Sequence, residues 1–279
     1  MSSSVLGLVR ASHPEPTAAV TVVAGLLATG VGHRPTGIAV VVLTVLASQL
    51  AVGWSNDLID ADRDATVGRT DKPAATGAVR RRTLARATVA AAVATPLVAL
   101  AGGGPAALCA ALGLLSALLY NWPLKSTPVS VLPYAVSFGA LPAFVVLALP
   151  GAPAPPVWLV AAAACLGAGA HFANVLPDLA DDARTGVRGL PHRLGPAGSR
   201  VAAAALLLAA TVTLVAGPPG PPSWAGRSAV AAAAVVPLLG WYAGRATART
   251  GGRPVAAFRA VMLVALIDVV LLVANGRVG

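Results

Sequence analysis

Nine apolar stretches of about 20 residues each divide this 279-residue chain, and no other feature restricts its fold so severely. That length is what a helix needs to cross roughly 30 Å of hydrocarbon. The stretches lie at 18–33, 36–56, 83–101, 105–121, 129–149, 156–176, 197–216, 226–244 and 255–275. The expected fold class is therefore all-α, a polytopic membrane protein of about nine transmembrane helices. Hydrophobic residues make up 57% of the chain and charged ones 11%, and mean hydropathy is +0.78, far from the balance of a soluble globular domain.

The formal charge of +10 raises the question of nucleic acid. The basic residues, however, lie between apolar runs instead of alternating with aromatics along a polar face, which reads as topology and not as a nucleic-acid surface. The connections after the second, fourth, sixth and eighth stretches, with their flanks, hold 16 of the 20 Lys and Arg residues. The connections at 102–105, 150–156 and 217–222 carry breakers and no charge. By the positive-inside tendency the N-terminus and the four basic connections are expected on the cytosolic side of the cell membrane. Residues 1–17 are polar, carry Arg10 and lead into the first apolar stretch with no convincing cleavage site, so no removable signal peptide is expected. Cys109 and Cys165 each lie inside an apolar run and read as small packing residues.

Carboxylates are scarce and concentrated. Asp57, Asp60, Asp62, Asp64 and Asp71 follow the second stretch, and Asp178, Asp181 and Asp182 follow the sixth; together they are eight of the ten acidic residues. Asn56, Asp60 and Asp64 fall at i, i+4 and i+8, so on a helix continuing through them they advance only about 40° per step and share a face. The pattern returns at Asn174, Asp178 and Asp182, each 118 residues after its counterpart. Carboxylates this dense repel one another unless cations fill the space between them. Oxygen donors without Cys point to a hard ion, and Mg²⁺ suits a site that shares its coordination with water and phosphate oxygens.

These residues carry a resemblance. Asn56-Asp57-x2-Asp60-x3-Asp64 followed by Lys72-Pro73, and Asn174-x3-Asp178-x3-Asp182-x3-Gly186 running on to Arg193-Leu194-Gly195, resemble the two Asp motifs of the UbiA superfamily of intramembrane prenyltransferases. The second is most similar to the form in naphthoate prenyltransferases. Nearly the whole chain is covered, as one domain over 1–279. The resemblance implies helices around a central cavity open to the cytosolic side, and Mg²⁺-dependent transfer of a prenyl group from an allylic prenyl diphosphate. The acceptor it implies is aromatic or otherwise lipophilic. It also implies metal ligands Asn56, Asp57, Asp60, Asp64, Asn174, Asp178 and Asp182, with the Asp residues at 60, 64, 178 and 182 central to catalysis. Two departures stand out: Arg188-Gly189-Leu190-Pro191-His192 replaces a basic-Thr-Leu run, and Tyr120 to Lys125 is one residue longer than the usual Tyr-x3-Lys.

Lys125, Lys72, Arg63 and Arg69 are candidates for diphosphate oxygens, Arg by a planar fork and Lys as a point charge. Tyr120 reads either as a substrate contact or as an interfacial anchor, like Trp54, Trp122 and Trp158. His171 shares a helical face with Asn174 and reads equally as a wall of the acceptor pocket or a packed polar residue. Asp268, deep in the ninth stretch, is expected to face the bundle because an ionised carboxylate at the bilayer centre costs about 2.5–3.5 kcal/mol. Three other functions share some of these features: a terpene cyclase of the same superfamily that needs no acceptor, a polyprenyl-phosphate phosphoribosyltransferase, and a cation-coupled transporter.

Overall fold

The computed structural model describes residues 3–249 and, beyond them, 259–260, 263–264, 266–268 and 270. Its elements are α1 (Ser3–Ala11), α2 (Pro14–Gly30), α3 (Pro35–Ile59), α4 (Ala61–Thr66), α5 (Arg81–Ala99), α6 (Gly104–Asn121), α7 (Val131–Leu147), α8 (Val157–Val175), α9 (Leu179–Arg184), α10 (Leu190–Ala216) and α11 (Trp224–Arg249). No strand occurs among the described residues. The protein is the all-helical polytopic membrane protein expected. Five helices are long and apolar enough to cross a membrane: α3, α5 with its extension to Gly102, α6, α8 and α10; α7 is apolar but shorter. Val89, Leu97, Leu108 and Leu239 point outward, each at least 60% exposed, as lipid-facing side chains do. The predicted stretch 255–275 lies partly outside the described residues, and those of it that are described are helical.

Helices start where proline permits. Pro stands in the first turn of α2, α3, α6 and α10, where its missing N–H costs nothing. This is why α2 begins at Pro14 and not near 18. The polar lead-in contains a helix the sequence did not suggest: α1 lays Leu8 and Ala11 on the cluster of Ala61, Ala74, Val79 and Leu84, and the Leu8 carbonyl accepts the Trp54 indole N–H at 2.9 Å. Trp54 is thus tied to α1 and is not a free interfacial anchor.

Neighbours in sequence pack side by side: α2 on α3, α3 on α5, α5 on α6, α6 on α7, α7 on α8, α8 on α10 and α10 on α11. Contacts of α2 with α7 and of α3 with α6 draw these helices around a shared interior. A close helix approach is made by Gly167 on α8, where a Cβ would lie 2.5 Å from the Phe138 side chain and 2.7 Å from the Tyr134 carbonyl of α7. Only a residue without a side chain lets two backbones approach so closely. Arg259 donates to Glu15 at 3.0 Å, bringing the start of the last stretch beside α2. Asp268 is buried, its Oδ2 accepting from the Thr211 hydroxyl at 3.1 Å; it faces the bundle, as the cost of a lipid-exposed carboxylate demands.

Candidate active site

The two acidic motifs straddle helix ends. The predicted helix 36–56 extends to Ile59, and the first motif spans two helices meeting at Asp60, which ends α3 and precedes α4. The ladder carries across the bend: the Asp60 N–H bonds to the Asn56 carbonyl at 3.0 Å and the Asp64 N–H to that of Asp60 at 2.8 Å. The i, i+4 spacing therefore survives, and Asn56, Asp60 and Asp64 line one cavity. In the second motif α8 ends at Val175, and a turn through Pro177 leads to α9. There the Asp178 N–H reaches the Val175 carbonyl at 3.0 Å and the Asp182 N–H that of Asp178 at 2.8 Å. Asn174, Asp178 and Asp182 line the same cavity.

That cavity has a volume of about 710 Å³. Its inner walls include Val45, Val52, Leu114, Leu141 and Phe144, with Gln49 and Thr44 among them. An aromatic group also lines this cavity. Tyr120 meets Tyr134 edge-on with centroids 4.8 Å apart, and His171 lies 5.4 Å from Tyr120 and 4.9 Å from Tyr134. The Asn174 amide donates to the Tyr134 hydroxyl at 3.2 Å, which joins the second motif to the aromatic group.

Basic side chains bridge the acidic walls. Asp60 accepts from Asn56 at 3.0 Å, from Arg63 at 2.7 Å, and from Lys125. Arg63 also approaches Asp182 at 3.9 Å. Arg69 grips Asp71 with two bonds of 2.8 and 2.7 Å and reaches Asp178 at 3.5 Å. Burial, opposed by Arg63, pushes the Asp182 carboxyl up to about 6, and burial likewise raises Asp64. Burial lowers the Lys125 ammonium, with Asp60 opposing, whereas hydrogen bonding to Asp71 raises Arg69. Asp64 Oδ2 is buried with no hydrogen-bond partner.

Three residues expected in the site stand differently from the rest. Asp57 is fully buried and does not line the cavity. Its Oδ2 accepts the Ala74 N–H at 2.9 Å, and Lys72 lies 3.7 Å from its other oxygen. That geometry anchors the connection after α4, unlike the metal-ligand role expected. Lys72 accordingly lies between Asp57 and His13, whose Nε2 is 3.1 Å from its ammonium. Burial and then Lys72 push the His13 imidazole down to about 4, leaving a neutral acceptor for that bond. His171 Nε2 lies 3.1 Å from the Ser130 hydroxyl, so this histidine is both packed and cavity-lining. Asp57→Ala is expected to lower thermal stability in detergent by about 1–3 kcal/mol, the cost of leaving a buried donor unpaired; unaltered unfolding would remove the anchoring role.

His13, Ser130, Tyr134 and His192 were not singled out by sequence reasoning. Only His192 had a visible signal, its place in the run that departs from the usual motif. The facing donors are carboxylate and amide oxygens, and with the orphaned Asp64 oxygen they fit a hard divalent cation. Among the described residues no three His, Cys, Asp or Glu side chains form a closed metal site.

A family model described as the UbiA prenyltransferase family matches residues 18–267. Among curated proteins, nothing matches. Solved structures share the fold. A UbiA homologue from Archaeoglobus fulgidus bound to GPP and Mg²⁺ superposes with TM-score 0.72 at 17% identity, over 97% of this chain and 98% of that one. The same homologue bound to DMAPP and Mg²⁺ gives 0.71 at 17%, over 96% and 97%. An apo homologue from Aeropyrum pernix K1 gives 0.71 at 24%, over 94% and 96%.

Proposed function

Because the chain belongs to the UbiA prenyltransferase family, we propose that it uses an allylic prenyl diphosphate as donor and transfers the prenyl group, within the membrane, to a lipophilic acceptor of aromatic type. One observation carries this reading: two Asn-Asp-Asp sets from different helices line one cavity that also has a large share of apolar side chains. A trianionic head on a hydrocarbon tail matches that combination. The solved homologues that hold GPP or DMAPP with Mg²⁺ support the donor class.

Asn56, Asp60 and Asp64 on one wall and Asn174, Asp178 and Asp182 on the other would hold Mg²⁺. When bound, Mg²⁺ supplies Lewis-acid neutralisation of the diphosphate's charge. Arg63 and Lys125, which bridge to Asp60, turn their donors to diphosphate oxygens, the guanidinium in a fork and the ammonium as a point charge; Arg69, which reaches Asp178, is a further donor. The rings of Tyr120 and Tyr134, which line the same cavity, present their negative faces to positive charge developing on the allylic carbons. Val45, Leu114, Leu141 and Phe144 exclude water, so that the acceptor reaches the reacting carbon first. The whole chain acts as one unit, with α2, α7, α11 and the last stretch counted as spans and the acidic mouth on the cytosolic side.

The test is diphosphate release by purified protein in detergent with Mg²⁺, from a panel of prenyl diphosphates, with and without aromatic acceptors, products being read by mass spectrometry. A prenylated adduct formed only with acceptor is expected. Cyclic hydrocarbon or alcohol formed without acceptor would instead establish a cyclase, and no release from any donor would leave a phosphoribosyl donor or ion transport to be assayed.

A further inference from the structure

His192 occupies a position that the chemistry above does not use. It comes from the run Arg188 to His192, ahead of the predicted helix 197–216. The chain there makes one extra helical turn before bending at Gly195 (φ 68, ψ 176). A positive φ is accessible to glycine without steric cost, and Pro196 follows it, so the turn bearing His192 points in a direction of its own. The turn is clamped. The Leu190 N–H donates to the Ser130 hydroxyl at 2.9 Å, and at Gly189 a Cβ would meet the Lys125 carbonyl at 2.4 Å.

The clamp presents the imidazole to the second acidic wall. His192 lines the cavity with a side chain only 9% exposed, and its Nε2 lies 3.8 Å from Asp182 Oδ2. That separation is too long for a hydrogen bond. Neither ring nitrogen has a partner, although an imidazole carries one donor and one acceptor in its neutral form and leaving both unpaired in a buried site is costly. His171 differs in this respect, because its Nε2 is engaged by Ser130. A shared ion between a carboxylate oxygen and an imidazole nitrogen satisfies both groups at once.

We propose that His192 is a nitrogen ligand which, with Asp182, holds a divalent cation on the second wall and biases that wall towards Co²⁺ or Zn²⁺ relative to an all-oxygen site. Imidazole is a softer donor than carboxylate, which is the reason for the bias. The remaining positions go to water or to diphosphate oxygens. The proposal rests on the reading that the acidic walls bind divalent ions.

The probe is Mn²⁺ alone. Purified full-length protein, freed of any affinity tag and stripped with EDTA, is titrated with Mn²⁺ by electron paramagnetic resonance, and the bound ion is examined by electron spin echo envelope modulation. Directly coordinated ¹⁴N is expected in the unaltered protein, changing to the ¹⁵N pattern when the histidines are ¹⁵N-labelled. The coupling is expected to vanish in His192→Gln and persist in His171→Gln, and Mn²⁺ affinity in His192→Gln to fall at least tenfold, roughly the loss that even an outer partner of a metal ligand causes. Mn²⁺ bound without nitrogen coupling in the unaltered protein, or coupling retained in a folded His192→Gln variant, would overturn the role of His192 and leave the metal-binding walls intact. No bound Mn²⁺ at all would overturn both. Because the labelled unaltered protein reports histidine nitrogen directly, the proposal stays open to refutation even if His192→Gln does not fold.

Discussion

Asp60→Ala and Asp178→Ala are each expected to lower kcat by about a thousandfold, or about 4 kcal/mol of transition-state stabilisation, while the protein still inserts and folds. The two substitutions act on opposite walls, which is what makes the pair informative. Asp60 is shared by Asn56, Arg63 and Lys125. Asp178 is approached by Arg69 from the connection after α4. On the proposed reading Asp60 is a metal ligand, and it also holds Arg63 and Lys125, so its variant is expected to show a changed KM for the diphosphate as well as the loss in kcat. Asp178→Ala should fall mainly in kcat. Steady-state diphosphate release, alongside thermal unfolding to verify the fold, measures both. Near-normal turnover in either variant would remove the two-wall arrangement.

How far these particulars were legible in the sequence depends on what kind of information each needed. Apolar runs report helices directly, because a span must be long and apolar whatever its neighbours are. The fold class and most helix positions followed from that alone. The polar lead-in did not announce α1, whose inward residues, Leu8 and Ala11, are too few to stand out in nine residues. The spacing of the acidic motifs correctly implied that Asn56, Asp60 and Asp64 share a side, although the assumed continuous helix breaks at Asp60. Asp57 shows where spacing fails. It sits one residue from Asn56 and looks like a further oxygen donor, yet it is turned to the Ala74 amide. Only the path of a connection 17 residues later decides that. Ser130 and Tyr134 at the start of α7 and His192 at the start of α10 come from two separate segments, and their convergence on α8 is set by helix packing such as the close approach at Gly167.

Chelation is expected to abolish diphosphate release, and added Mg²⁺ to restore it; the same titration should also change stability. Eight of the ten carboxylates lie in or beside the two motifs, and burial raises Asp64 and Asp182 above their ordinary range, so ionising both at neutral pH works against the fold. Arg63, Arg69 and Lys125 offset part of that cost from within the site. A cation bound only by the folded state adds to stability by mass action, about 2.7 kcal/mol at a concentration one hundred times its dissociation constant. Mg²⁺ should therefore raise the unfolding midpoint of the intact protein. The increment should shrink in Asp60→Ala or Asp178→Ala, since each keeps one wall. Activity and unfolding that both ignore EDTA would mean that the resident arginines and lysine are the permanent counterions of these carboxylates. The acidic mouth would then be a structural ion-pair network, and the cavity beneath it would need another explanation.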